Sequence, residues 1–313
     1  IESTTYKVFN GWKVNGTAID LTTYKIIADT TIVADITYYY DVIFKVQDTI
    51  QSQKVVAENN FVSLRGKLEV DGFVFLGWSI DGVTLLDGDY RITKNTTFYA
   101  VLNKLYTATY TYSYEDLLSL SASVISNSKS EQLTKSDTIS PLEFSVPFYI
   151  NFEGWTVNGE DVDVDDYSMR EDTVFVAKFT YKKLNDLTWS QISNLKPNAT
   201  KIFAVGDEKP VTLRTGEVLT FVILDFKHDT VCNTPMISSK NSISFGLKHL
   251  MATKKAMNVE NSNSYYKTMS DYLLTVFTQL PEDLQSLILE TEKYQLDGGN
   301  NVSSVSSSRY ELW

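Results

Sequence analysis

The residues best suited to nucleophilic or metal chemistry are few: two histidines, His228 and His249, and one cysteine, Cys232. His228, Asp229 and Cys232 stand close enough in sequence to offer zinc three ligands. A second cysteine or a nearby histidine pair is missing, and His249 would have to come from another strand. The alternative is a partly buried histidine, satisfied at a strand end. A serine or cysteine nucleophile needs an activating histidine, and no Gly-x-Ser-x-Gly elbow is present. With 39 acidic residues some carboxylate pair will fall at a glycosidase separation, so the acids by themselves select none. Gly298-Gly299 lacks the lysine and helix of a phosphate-binding loop. The run Asp161-Val162-Asp163-Val164-Asp165-Asp166 invites a calcium reading. An EF-hand loop, however, needs glycine at its sixth position and glutamate at its twelfth, where this chain has Asp166 and Asp172. A calcium site of another kind and a strand with one wet face remain as readings. No catalytic residue, metal or cofactor is assigned.

Composition narrows the class further. The net charge is −11, from 28 basic and 39 acidic residues, which argues against nucleic acid as a partner, since phosphate contacts need clustered Lys and Arg. Acidity of this size serves solubility. A single cysteine excludes an intrachain disulfide framework. No run of about 18 apolar residues exists, so no membrane span is expected. Abundant Tyr, Phe, Val, Ile and Thr favour strands. The chain opens at Ile1 and closes at Tyr310-Glu311-Leu312-Trp313 in an apolar run, which leads us to expect a piece of a longer protein.

The elements that position these residues are organised around a stretch that comes back. Phe9-Asn10-Gly11-Trp12-Lys13-Val14-Asn15-Gly16 returns as Phe75-Leu76-Gly77-Trp78-Ser79-Ile80-Asp81-Gly82 and as Phe152-Glu153-Gly154-Trp155-Thr156-Val157-Asn158-Gly159. Each Trp is followed 12 residues later by Tyr24, Tyr90 or Tyr167, and 22 residues later by Ala34, Ala100 or Ala177. A fixed frame of that length is an internal repeat. Asn-Gly and Asp-Gly between alternating segments predict hairpin turns. Phe and Trp three apart cannot share one face of an ideal strand, so the glycine between them predicts a bulge. The Trp is expected in the core, with sugar stacking as the alternative. Thr31–Ile36, Thr97–Leu102 and Thr173–Phe179 alternate like half-buried strands. Val42–Val46, Lys54–Ala57 and Val62–Leu64 read as strands, Tyr114–Leu118 as a helical turn, and Ser126–Ser140 as an exposed loop.

After Lys183 the character changes. Thr188–Ile192 predicts a capped helical turn ended by Lys196-Pro197. Lys201–Val205, Pro210–Leu213, Glu217–Lys227 and Ile243–Leu247 predict strands, with Leu219–Leu224 central. Met269, Tyr272, Leu273, Val276, Phe277 and Leu280 make one apolar helix face over Thr268–Leu280. Pro281 starts a second helix, with Glu282 and Asp283 in its first turn. Ser303–Ser308 reads as an exposed strand.

The Gly-Trp frame of roughly the first 180 residues resembles the Listeria–Bacteroides repeat, also called the internalin B-repeat. That resemblance implies small β-grasp-like modules strung in tandem on bacterial surface or phage virion proteins, without catalysis. Thr188-Trp189-Ser190, Val205-Gly206-Asp207, Phe226-Lys227-His228-Asp229, Ile243-Ser244-Phe245-Gly246, Met257-Asn258 and Leu280-Pro281 resemble a domain of unknown function. It is found in Firmicute surface and prophage proteins and in phage tail and fibre tips, and the resemblance implies a C-type-lectin-like fold.

The expected architecture is mainly β, with tandem small β-grasp-like repeats followed by a C-terminal α+β domain. Residues 1–40 form the trailing half of a first repeat, 41–105 a second, and 106–183 a third with an insertion. Residues 184–313 form the C-terminal domain, ending where that family's final strands are expected. The expected role is a non-enzymatic, extracellular spacer on a virion or bacterial surface. Its terminal domain would bind cell-wall glycan or a surface protein. Tyr265, Tyr266, Asn258 and Asn261 are candidate contacts, since Asn and Tyr suit sugar or peptide recognition; ordinary loop residues are the alternative. Two other roles compete. One is a phage assembly component, a homo-oligomer or part of a larger assembly that binds other virion subunits. The other is a cell-wall polymer hydrolase with anchoring repeats.

Overall fold

The computed structural model describes residues 1–119, 123–231, 243–249, 267–296 and 302–306. Strands take 49% of the chain and helices 11%, and the sheets are open, so the protein is mainly β. Two compact units form: Ile1–Thr109 with Ser130–Ser140 and Asp165–Thr173, and Tyr110–Lys129 with Pro141–Val164 and Val174–Trp313.

The first unit opens with β1 (Lys7–Val14) and β2 (Thr17–Ile19), then β3 (Val33–Val46), β4 (Thr49–Ala57), β5 (Phe61–Ser63), β6 (Phe73–Ser79) and β7 (Asp89–Arg91). The strands β8 (Thr96–Asp116) and β9 (Ser123–Thr134) give residues to both units. The second unit adds β10 (Ile150–Val157), β11 (Glu160–Val162) and most of β12 (Thr173–Tyr181).

The Gly-Trp segments share one pairing register. In β1 against β3 the register slips between Phe9 and Gly11, and Trp12 then faces Ala34. In β6 against β8 it slips between Phe75 and Gly77, and Trp78 faces Ala100. In β10 against β12 it slips between Phe152 and Gly154, and Trp155 faces Ala177. The extra residue of each bulge turns an odd spacing into a shared face. Phe9–Trp12, Phe75–Trp78 and Phe152–Trp155 accordingly meet edge-on, with centroids 5.4, 5.3 and 5.8 Å apart. The bulge needs glycine because φ is +132° at Gly11, +151° at Gly77 and +129° at Gly154. Alanine stands directly across from the indole because cross-strand neighbours on one face come within about 5 Å. Trp155 is buried, whereas Trp12 and Trp78 are half-buried.

Two of the three expected turns are two-residue hairpins with both central residues at positive φ: Asn15-Gly16 and Asn158-Gly159. Asp81-Gly82 departs from this. Asp81 Oδ1 accepts the hydroxyl of buried Ser79 (2.6 Å) and the backbone N–H groups of Val83 (2.9 Å) and Thr84 (2.7 Å). The carboxylate thus organises a wider loop. It is held well below the ordinary carboxylate range, first by the Ser79 hydroxyl and then by those N–H groups. A depressed pKa adds stability above the unfolded value, near ~3.9, which is lost as pH falls toward the folded one. Asp81→Asn should therefore flatten the fall of thermal midpoint with acid below about pH 4. An acid limb identical to that of the parent would contradict this.

Around the second Gly-Trp segment a small core forms from Val42, Phe44, Val62, Leu64, Ile92 and Phe98, with Trp78 and Tyr90 against it. β3 runs parallel to β8 there, with Val42 opposite Thr96 and Phe44 opposite Phe98. β5 and β7 pair antiparallel, with Val62 opposite Tyr90.

Beyond Lys183 the second unit continues with a 3₁₀ turn (Leu184–Asp186), α1 (Trp189–Leu195) and a second 3₁₀ turn (Lys196–Lys201). Then come β13 (Glu208–Thr212), β14 (Val218–Phe226), β15 (Thr230–Val231) and β16 (Ile243–Leu247). Last are α2 (Lys267–Gln279), α3 (Glu282–Gln285), β17 (Thr291–Leu296) and β18 (Val302–Ser306). β14 is the middle of the sheet β13-β14-β16, as its apolar run implies. Thr188 and Gln191 cap α1 reciprocally: Gln191 N–H donates to Thr188 Oγ1 (3.2 Å) and Thr188 N–H to Gln191 Oε1 (2.9 Å). Trp189, Ile192 and Leu195 of α1, Phe221 and Ile223 of β14, and Val276 of α2 share one core.

Three local expectations are corrected. Tyr114–Leu118 is not a helical turn, because β8 runs through Asp116. Its end is pinned by buried Tyr149, whose hydroxyl accepts Leu117 N–H (2.9 Å) and donates to Glu115 O (3.1 Å). Ser126–Ser140 is not simply a loop: β9 extends to Thr134 beside β8, where ladder bonds outweigh weak local propensity. Lys201–Val205 is not a strand. Pro197 opens a 3₁₀ continuation of α1 instead of ending it, since proline lacks only a donor that the first turn leaves unused.

Candidate functional site

Tyr265, Tyr266, Asn258, Asn261 and Cys232 lie outside the described residues. His228 Nδ1 is 3.0 Å from Asp229 Oδ1, and Ser244 of β16 donates to Asp229 Oδ2 (2.7 Å). The Asp229 carboxylate thus meets both the histidine and the serine, and its contact orients the His228 ring. Among the described residues no group of three His, Cys, Asp or Glu could hold a metal ion. Asp161 is engaged by a cation already: Lys178 Nζ lies 2.7 and 2.8 Å from its two oxygens, across from the β10–β11 hairpin.

One recess belongs to the second unit. It measures about 410 Å³ and is lined by Asp186, Thr188, Trp189, Lys209, Pro281 and Asp283 among others. Lys209 is only 9% exposed. Its position follows from the alternation of β13, which turns Lys209 and Val211 inward and leaves Pro210 outside. The ammonium donates to the carbonyls of Leu187 (2.7 Å) and Leu184 (3.3 Å), with Asn185 O at 3.5 Å. It lies 5.5 Å from the centre of the Trp189 ring. Burial pushes its pKa down, and the charges of Asp186 and Asp283 partly oppose that. Three carbonyls and an aromatic face match what a lysine ammonium can donate, which makes Lys209 an anchor for the 3₁₀ turn, not a free base or nucleophile. The sequence signal for it is a lysine at an inward position of an alternating strand, flanked by a proline that cannot sit in the middle of a sheet.

A wider recess of about 910 Å³ lies in the first unit between residues 64–77 and 86–88. It gathers Arg65, Lys67, Glu69 and Asp71, charges of both signs.

Compared with known proteins, the chain matches no family model, no curated protein and no solved structure.

Proposed function

We propose that the chain is a non-enzymatic, extracellular protein of a virion or bacterial surface. In this reading its Gly-Trp units are tandem β-grasp-like repeats acting as a spacer. Residues 184–313 are a binding domain of C-type-lectin-like type for host cell-wall glycan or a surface protein. The observation that carries the spacer role is β3. This one strand of 14 residues closes the first Gly-Trp unit against β1 and opens the second against β4. Successive units therefore share a strand where a linker would otherwise stand, and a shared strand lacks the freedom of a flexible linker. The buried Lys209 ammonium is used to hold the carbonyls of Leu184 and Leu187, a structural use that supports this reading.

The assembly reading, in which the chain binds other virion subunits as a homo-oligomer or part of a larger particle, is favoured by one observation. The first Gly-Trp segment exposes large apolar side chains, among them Leu21, Ile26 and Ile27.

The test is a pull-down of the full chain with intact bacteria and with purified wall glycans. Saturable binding, lost on changing Tyr265 and Tyr266 to Ala with circular dichroism unchanged, is the expected result. No binding to any surface, together with capture of virion proteins, would replace the adhesion reading with the assembly one.

A further inference from the structure

The second Gly-Trp unit is entered through β3 and left through β8. These two strands lie side by side and parallel, with Val42 opposite Thr96, Ile43 opposite Thr97, Phe44 opposite Phe98 and Lys45 opposite Tyr99. Just ahead of the first pair, Asn95 Oδ1 accepts the backbone N–H of Asp41 (2.9 Å). The third unit repeats that contact, since Asp172 Oδ1 accepts the N–H of Thr107 (2.7 Å). Asn95 and Asp172 each stand 17 residues after their own Trp, and Asp41 and Thr107 each stand 29 after the preceding one. The side chains along the parallel pair are buried as well. Val42 and Phe98 are fully buried and Phe44 nearly so. The rings of Phe44 and Phe98 stack with centroids 5.0 Å apart, in one small core with Val62, Leu64 and Ile92.

This arrangement has a mechanical consequence. A pull along the chain drags β3 toward its own N-terminus and β8 toward its C-terminus. In parallel neighbours those forces oppose each other along the strands and load the whole row of ladder bonds together. The strands cannot slide without drawing Phe44 and Phe98 past each other inside a close-packed core. Antiparallel neighbours pulled from one end behave differently, because their bonds open one after another. β6 and β8 are such a pair. Phe73 faces Lys104, and Leu105 N–H donates to Gly72 O (2.9 Å), so the end of one strand lies beside the end of the other.

We propose that the β3–β8 pair is a shear clamp that makes the second Gly-Trp unit a tension-bearing element, with Asn95 as the latch at its mouth. Asn95 holds the Asp41 amide at the point where β3 passes from one unit to the next, so the load reaches the parallel ladder through a strand already fixed in register. The inference deepens the spacer role and rests on it for the source of the tension, a chain held at one end and loaded at the other. The clamp itself is tested apart from anything the C-terminal domain binds.

The test is single-molecule stretching of the full chain in two geometries. Held at its two termini, the chain should show a step that releases residues 42–99, about 200 Å at ~3.5 Å per residue. Held at residue 71 and the C-terminus, through Asp71→Cys with Cys232→Ser, the same unit is opened by peeling β6 from β8. That releases residues 72–105, about 120 Å. Asp71 is exposed and outside any strand, so this attachment keeps the fold, checked by circular dichroism. At one loading rate the end-to-end step should need at least about twice the peeling force, since forced unfolding follows the unfolding barrier and the parallel pairs yield together. Asn95 is exposed, and Asn95→Ala should lower the end-to-end force while leaving the peeling force unchanged. Asn95→Asp keeps the accepting oxygen, as Asp172 does in the third unit, and should preserve both forces. Equal forces in the two geometries, or no step for residues 42–99, would overturn the clamp. An unchanged end-to-end force in Asn95→Ala, or both forces falling alike, would overturn the latch.

Discussion

Trp155→Ala is expected to destabilise the protein by about 3–5 kcal/mol, the range for removing a buried aromatic and leaving a cavity. The indole is 6% exposed and meets Tyr110, Phe144 and Phe152 edge-on, with centroids 5.9, 6.0 and 5.8 Å away. Those rings belong to different strands and loops and cannot all move into the space the indole leaves. Trp12→Ala makes the same chemical change where the ring is only half-buried. Its cost should be clearly smaller. Chemical denaturation of both variants, with the denaturant slope checked, measures the difference. Equal losses at the two sites would mean that the shared register does not decide the energetics. Ala177→Leu is the reciprocal change and should be destabilising as well, since a larger side chain directly across from Trp155 must displace the indole.

Lys209→Met should cost about 2–3 kcal/mol, although methionine preserves the length and apolar stem of the lysine. What is lost is the ammonium, leaving the carbonyls of Leu184 and Leu187 without their charged donor in a nearly dry setting. Lys209→Arg should not restore the loss, because a planar fork cannot converge on carbonyls gathered around one point. The readout is the denaturation midpoint, with hydrogen exchange over residues 184–188 reporting loosening of the 3₁₀ turn. A methionine variant as stable as the parent would show that the lysine is not the anchor.

Both sites bear on how much was legible in the sequence. The bulges were legible because a Phe and a Trp three apart, with glycine between them, admit few other solutions on a strand. The 22-residue interval from Trp to Ala was visible as a number, and the structure gives it a meaning as the hairpin register. The amphipathic face of α2 and the central place of β14 followed from periodicity and from an unbroken apolar run. Local propensity failed where tertiary partners prevailed. β8 overrides the acidic, helix-compatible Tyr114–Asp116, and β9 forms from serines and lysines because β8 offers it a ladder. Asp81-Gly82 looked like its two counterparts, but aspartate accepts where asparagine also donates, and here it gathers N–H and O–H groups into a loop. Lys209 was missed because a lone lysine in a strand ordinarily faces water.

In the function we propose, this chain works by holding and binding, not by turnover. The direct measurement is to incubate the full chain with purified wall glycan and measure two things in one sample: glycan retained on the protein and the mass distribution of the glycan afterwards. The account predicts saturable retention with the mass distribution unchanged over many hours. Shortened glycan, formed in excess over protein and suppressed by changing one carboxylate with the fold intact, would contradict it.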